Sequence, residues 1–181
     1  DVDGEKVPAK TFFLDPRGAA RKTTGSYYTH PRLIDGLIKS ALRAVVEDRL
    51  SKSSDKEKAL LSINVCDPAC GSGAFLIAAN NYLARELAKL HTGQAEPPDR
   101  EMRKARRDVL QYCIYGVDLN PMAVELAKVS LWINSCVGDM TLNFLDHHIK
   151  CGNSLIGATP ELINNGISDD AFSPAIGDDK N

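Results

Sequence analysis

At 181 residues the chain is long enough for one domain with a sizeable core, and its 43% hydrophobic and 25% charged content are ordinary globular values. A net charge of −2 excludes a global basic field that would draw the molecule onto nucleic acid, although a modular enzyme can carry its basic cleft elsewhere. No apolar run is long enough to span a bilayer, which argues against a membrane partner.

Residues 1–22 are polar around the apolar patch Thr11-Phe12-Phe13-Leu14, and Asp15-Pro16-Arg17-Gly18 reads as a turn. The chain opens Asp1-Val2-Asp3 with neither Met nor a secretory signal, as expected of a piece excised from a longer protein. The stretch from Arg21 to Pro31 is rich in turn formers and holds the adjacent Tyr27 and Tyr28. It reads either as a loop that caps the next helix or as a ligand-facing loop. From Pro31 a helix is predicted to about residue 50, with Thr29 or His30 as cap. Leu33, Ile34, Leu37, Ile38, Ala41, Leu42, Val45 and Val46 recur along it at helical spacing. Residues 51–58 read as a polar loop and 60–66 as the first central strand.

A helix is predicted from the glycine turn at 71–73 to about residue 90, with Phe75, Leu76, Ala79, Leu83, Leu87 and Leu90 on one face. Residues 91–98, which include Gly93, Pro97 and Pro98, stop it. Residues 99–110 read as a charged helix capped by Asp99. Its Arg100, Arg103, Lys104, Arg106 and Arg107 suit a solvated face, or a DNA phosphate contact if they gather beside a cleft. Residues 111–118 form the second predicted strand. Asn120 then caps a helix with Pro121 in first position, running to Ser135. That helix is apolar nearly all round and is expected to be buried between the sheet and another layer. Residues 144–151 read as a third strand, and 159–181 as a loop-rich tail with one short helix at 160–164.

The five cysteines, at 66, 70, 113, 136 and 151, are scattered and lie mostly in apolar elements. They fit reduced core thiols of a cytoplasmic protein. Cys66 and Cys70 flank the glycine turn, but no second close Cys or His pair completes a zinc set, so no metal is expected. The adjacent His147 and His148 point to opposite faces of a strand.

The string Val65-Cys66-Asp67-Pro68-Ala69-Cys70-Gly71-Ser72-Gly73-Ala74-Phe75-Leu76 organises the chain. A tight turn at the carboxyl end of a strand is where open α/β sheets bind ligands. Gly71 and Gly73 let the backbone approach a ligand closely, and the helix that follows offers unpaired N–H groups. A dinucleotide site would want a third glycine at position 76, which is Leu, and a P-loop would want Gly-Lys-Ser/Thr, which is missing. The pattern suits a nucleoside whose other end is not a pyrophosphate. Asp118, ending the second strand, is placed to accept from both hydroxyls of a ribose, and Leu119, Pro121 and Met122 to pack on an adenine ring.

These motifs resemble those of the adenine-N6 DNA methyltransferases of restriction-modification type, in that family's order, over roughly residues 21–158. Gly25-Ser26-Tyr27-Tyr28-Thr29 is similar to their amino-terminal loop motif, and 65–75 to their first cofactor motif. Gly116-Val117-Asp118-Leu119-Asn120-Pro121 is similar to the second, and Cys151-Gly152-Asn153-Ser154-Leu155 to the third. Residues 152–180 also resemble the very large methylases of the BREX type of phage defence. The resemblance implies a partial Rossmann-like α/β core of about three parallel strands with helices on both faces. It implies S-adenosyl-L-methionine as cofactor, with Tyr28 and Thr29 at the methionine carboxylate and Asp67, Ala69 and Gly71 around its amino group. Gly73 and Phe75 belong to the same cofactor motif, Asp118 would take the ribose, and Asn153 would approach the adenine amino group. Residues 1–30 would then be an amino-terminal segment carrying the cofactor loop, and 31–158 a truncated cofactor-binding domain.

There are two departures from the family pattern. His30 stands where Pro is frequent, and Asn153 where Asp is common, which keeps hydrogen bonding but removes a charge. The family's Asn/Asp-Pro-Pro-Tyr/Phe motif is also absent from these residues. In the family its Asn side chain and Pro carbonyl accept protons of the adenine amino group, and its aromatic stacks on a flipped base. The expected parent activity is methyl transfer to adenine N6 in double-stranded DNA, with restriction or defence subunits as partners, while this chain alone is expected to be at most a cofactor binder, without turnover. A non-catalytic S-adenosylmethionine-binding module, or methylation of an amino group in RNA or protein, are the alternatives. A truncated sheet would also leave an edge and an apolar face open to self-association.

Overall fold

The computed structural model describes residues 29–135 and 142–156, with 164 and 166. Residues 160–163 of the predicted helix at 160–164, Tyr28 and Cys136 lie outside the described residues.

Helix α1 (Pro31–Ser51) begins where Pro31 presets the backbone, and the His30 side chain accepts from the Arg32 N–H. It buries Ile34, Ile38, Leu42 and Val46, one residue every four. Leu33, Leu37 and Val45 remain exposed, so half of the predicted apolar stripe faces outward. Residues 56–61, read in part as loop and in part as strand, form a short helix α2 (Lys56–Leu61). Asp55 caps it by accepting from the Lys58 N–H at 3.0 Å, and Leu60 is fully buried from it. Capping and burial of one leucine outweigh the β character of the apolar run.

Strand β1 is therefore only Val65–Asp67. Helix α3 (Ala74–Thr92) ends at Gly93, whose left-handed φ of +67° closes the last turn. Helix α4 (Asp99–Tyr112) follows Pro98, and Asp99 is its first residue instead of its cap. Gln111 and Tyr112 finish that helix, which shortens strand β2 to Ile114–Asp118. Helix α5 runs Pro121–Ser135, as its cap and proline predict, with the Asn120 side chain accepting from the Met122 N–H at 3.0 Å. A 3₁₀ turn at Leu142–His147 and strand β3 (Ile149–Cys151) replace the longer predicted third strand. His147 and His148 precede β3 and so do not alternate along it; the His148 ring nitrogen Nδ1 sits 2.8 Å from the Ile114 carbonyl.

The three strands are parallel in the order β1-β2-β3, with Val65 beside Ile114 and Gly116 beside Ile149. Ile114, Gly116 and Ile149 share the buried face, against which α3 and α5 pack. The opposite face carries exposed Cys66 and Lys150, and Tyr115 stacked on His148 with ring centroids 4.6 Å apart. Among the described residues the helices thus cover one face, where both were expected to be covered. Helix α5 is likewise two-sided: Val124, Ala127 and Leu131 are buried, whereas Met122, Leu126, Val129 and Ile133 are exposed.

Gly116 lets the first turn of α3 close onto the sheet. A Cβ there would lie 2.8 Å from Leu76 Cδ1 and 3.2 Å from Cys70 Sγ. Because Leu76 is fully buried, it has little room to withdraw. Gly116→Ala is expected to destabilise the fold by about 1–3 kcal/mol in urea denaturation, the usual cost of overpacking. Gly36→Ala is the control; its Cβ would meet nothing within 4 Å.

Candidate functional site

The carboxyl ends of the three strands carry three loops, which meet at Asp118. Its Oδ2 accepts from the Gly71 N–H at 2.8 Å, across 47 residues of sequence. Its Oδ1 accepts from the Asn120 N–H at 2.9 Å, and its main-chain carbonyl accepts from the Gly152 N–H at 3.0 Å. The glycine turn, the entry to α5 and the loop after β3 are all tied to this one residue. Hydrogen bonds to an ionised acceptor are shorter and stronger than neutral ones.

The turn is held from below as well. The Cys70 N–H donates to the Val117 carbonyl at 2.9 Å, and the Gly73 N–H to the Cys70 carbonyl at 2.8 Å. Gly71 and Gly73 both adopt positive φ, +53° and +87°. A Cβ on Gly73 would stand 3.3 Å from the Ala127 Cβ, so the turn needs glycine there to seat on α5. A Cβ on Gly71 would meet nothing within 4 Å, which leaves the outer side of the turn open to a ligand.

The other predicted site residues divide by location. Asp67 ends β1, and its Oδ1 accepts from the Ala69 N–H at 3.0 Å. Ala69 is exposed beside it. Leu119 and Met122 are exposed next to Asp118, while Phe75 is half-buried and packs against the core. Asn153 follows Gly152, and its Oδ1 accepts from the Leu155 and Ile156 N–H groups at 2.9 and 3.2 Å, so its oxygen is engaged within its own loop. Thr29 is half-buried just ahead of α1, whose Pro31 lines the same groove as Ala74 of α3. The start of α1 is thereby brought to the start of the glycine-turn helix.

The sequence reading misses two participants. Gly116 is essential to the seating of the turn, and a glycine inside a strand is a signal for such close approach. The main-chain N–H of Gly152 is the other; Gly152 lies in the third motif string, but nothing there shows that its N–H binds the Asp118 carbonyl. Among the described residues no cluster of three or more His, Cys, Asp or Glu stands together as a metal site. The residues present suit a nucleoside cofactor: an open glycine turn, a carboxylate with lone pairs left over, and apolar Leu119 and Met122 beside it.

The family model of the MmeI DNA-methyltransferase domain matches residues 44–158. The chain belongs to that family. Among curated proteins it is 27% identical to a putative type II restriction enzyme and methyltransferase of Methanocaldococcus jannaschii, covering 76% of this chain and 15% of the relative. It is 30% identical to the type II restriction enzyme and methyltransferase RM.Eco57I of Escherichia coli, covering 66% of this chain and 14% of the relative. It is 28% identical to the adenine-specific methyltransferase PglX of Streptomyces coelicolor, covering 80% of this chain and 11% of the relative. The chain thus spans about a seventh or less of the length of these relatives. It is related to DNA methyltransferases, an adenine-specific one among them. No helix among the described residues is long and apolar enough to cross a membrane.

In this methyltransferase-family chain the thiol beneath the turn is chemically quiet. Burial, then the carboxylates of Asp67 and Asp118, push the Cys70 thiol up to about 11, and burial pushes Cys113 up to about 12. Thiol-reactive dyes at neutral pH are therefore expected to label exposed Cys66 and Cys151 quickly and Cys70 and Cys113 only on unfolding. Below the ordinary thiol value of 9.0 both states are protonated and the stability is intact. Above it the unfolded thiols ionise while the folded ones do not, so urea midpoints should fall as pH rises from about 9 toward about 11. Equal labelling of Cys66, Cys70, Cys113 and Cys151 in the folded protein would contradict this assignment.

Proposed function

We propose that the chain is the cofactor-binding part of a DNA methyltransferase that transfers a methyl group from S-adenosyl-L-methionine to adenine N6. The observation that carries this reading is the convergence of the three strand-end loops on Asp118, in a chain of the MmeI methyltransferase family. Residues 31–158 are the cofactor-binding unit in this reading.

Each carboxylate oxygen of Asp118 accepts one N–H from the protein and keeps further lone-pair capacity for the two ribose hydroxyls. Leu119 and Met122 supply exposed apolar surface for the adenine ring. Asn153 has its oxygen committed to Leu155 and Ile156, which leaves its amide N–H groups to face the ring as donors. Asp67, Ala69 and Gly71 hold the amino end of the methionine portion, with Gly73 and Phe75 shaping the turn beneath it, and Thr29 and Tyr28 serve its carboxylate. When bound, S-adenosylmethionine supplies an electrophilic methyl on a sulfonium. The groups that accept protons from an adenine amino group are not among these roles, since no Asn/Asp-Pro-Pro-Tyr/Phe string occurs in the 181 residues. Double-stranded DNA, and restriction or phage-defence subunits, are partners of the whole protein in this proposal.

Calorimetric titration with S-adenosylmethionine, run on the native chain and on Asp118→Ala, tests the assignment. Native binding weakened at least about tenfold by the substitution is the expected result, because a hydrogen-bonded charged acceptor is worth about 1.5–3 kcal/mol. Folded native protein that binds no cofactor, or an unchanged affinity in the variant, would overturn it.

A further inference from the structure

A groove of about 390 Å³ runs along the outer side of α3, walled by α1 and α4. Its floor is the stripe Ala74, Ile77 and Ala78, continued by Tyr82, with Ile38 and Met102 on the walls. One end begins at Ala74 and Pro31, beside the glycine turn. Three cations line the groove farther along, Lys39 from α1, Arg85 from α3 and Arg106 from α4. Asp35 is the one carboxylate in the lining, so the groove carries three positive charges against one negative in a chain whose net charge is −2. None of the three cations forms an ion pair among the described residues, whereas Arg43, Lys52, Lys89 and Lys128 all do. The Asn81 side chain accepts from Arg106 Nε at 2.9 Å, which fixes that guanidinium and leaves its terminal nitrogens uncommitted. One turn earlier on α4, Arg103 is exposed, while two turns earlier the same face carries the acidic Asp99.

Like charges from three separate helices repel, and nothing in the packing requires them to meet. An anionic partner gives them a reason to. From Ala74 to Arg85 the floor is about 16 Å long, room for a short run of phosphates of one strand. We propose that this groove is a DNA-backbone contact, taking the phosphates of the duplex flanking the base to be modified on Lys39, Arg85 and Arg106. The sugars lie over the apolar floor. The contact gives position and affinity but no sequence readout. This inference rests on the DNA-methyltransferase reading above.

Fluorescence anisotropy with a short labelled duplex of mixed sequence, titrated at several salt concentrations, tests it. Lys39→Glu/Arg85→Glu changes two exposed side chains and spares the Arg106–Asn81 bond. It should weaken binding at least about tenfold and reduce the slope of log affinity against log salt by about two, one for each cation removed. Lys56→Glu/Lys150→Glu makes the same net-charge change outside the groove and should leave the slope within about half a unit of native. Circular dichroism melts of both variants confirm folding. Equal losses in both pairs, an unchanged slope in the groove pair, or no duplex binding would overturn the proposal. So would poly-L-glutamate binding in place of the duplex and lost on the same groove reversal, which would make the groove a seat for an acidic polypeptide. S-adenosylmethionine titration on the same samples separates the two readings. Cofactor binding without duplex binding removes the groove contact alone, and loss of both removes the methyltransferase reading with it.

Discussion

The bond between the Asp118 carboxylate and the Gly71 N–H is the constraint on which the rest of the site depends. It joins the end of β2 to the turn after β1 at 2.8 Å, although the two residues lie 47 apart in sequence. A parallel sheet makes this meeting inevitable, because every strand delivers its carboxyl end to the same edge. The register sets Asp67 beside Gly116 and Asp118 beside Cys151, so β2 ends two residues beyond the pairing that closes β1. That overhang lets a short carboxylate reach back over the turn. Its second oxygen then holds Asn120, which caps α5, so one side chain orients both the turn and the entry to the next helix.

Below the clamp, close packing substitutes for side chains. Gly116 admits Leu76 and Cys70 to the sheet, and Gly73 admits Ala127 of α5 to the turn. Each contact brings main chain to within a distance that a larger residue would forbid, and each involves a fully buried small or apolar partner. Dense interiors transmit such displacements instead of absorbing them. A methyl group added at Gly116 would therefore move the first turn of α3 and, through it, the N–H that Asp118 holds.

Local chemistry was legible in the sequence and long-range geometry was not. The Asn120-Pro121 start of α5, the Pro31 start of α1 and the glycine turn are written in adjacent residues, and they stand where the residue types place them. The short helix at Lys56–Leu61 is not legible because Leu60 and Leu61 continue an apolar run that also suits a strand, and its capping aspartate sits in a stretch that reads as loop. Strand ends were overextended for a related reason. Gln111 and Tyr112 fit β2 by composition, but the preceding helix claims them through its own hydrogen-bond ladder. At the site, the motif residues were visible while the Asp118–Gly71 and Asp118–Gly152 bonds were not, because sequence spacing carries no information on which loops a sheet will bring together. The apolar faces of α1 and α5 misled in the other direction: hydrophobic periodicity marks which residues are apolar, not which side is covered.

The clamp also bears on what the proposed cofactor would have to accomplish on arrival. A glycine turn left to itself samples many conformations, and ordering it on binding would cost about 1–2 kcal/mol for each residue fixed. Here Gly71 is already held by Asp118, Cys70 by Val117, and Gly73 by the Cys70 carbonyl and Ala127. That cost is met during folding, so a ligand meets a preformed cradle and keeps more of its contact energy as affinity. The same carboxylate that fixes the turn keeps further lone-pair capacity, so in the proposed reading rigidity of the turn and recognition of a ribose would both rest on one group. Placing both on Asp118 has a physical drawback: any change that removes the acceptor loosens the cradle and removes the contact together. Asp118→Asn does not separate the two either, since the amide keeps one accepting oxygen for Gly71 or Asn120 and sets an NH₂ donor against the other N–H.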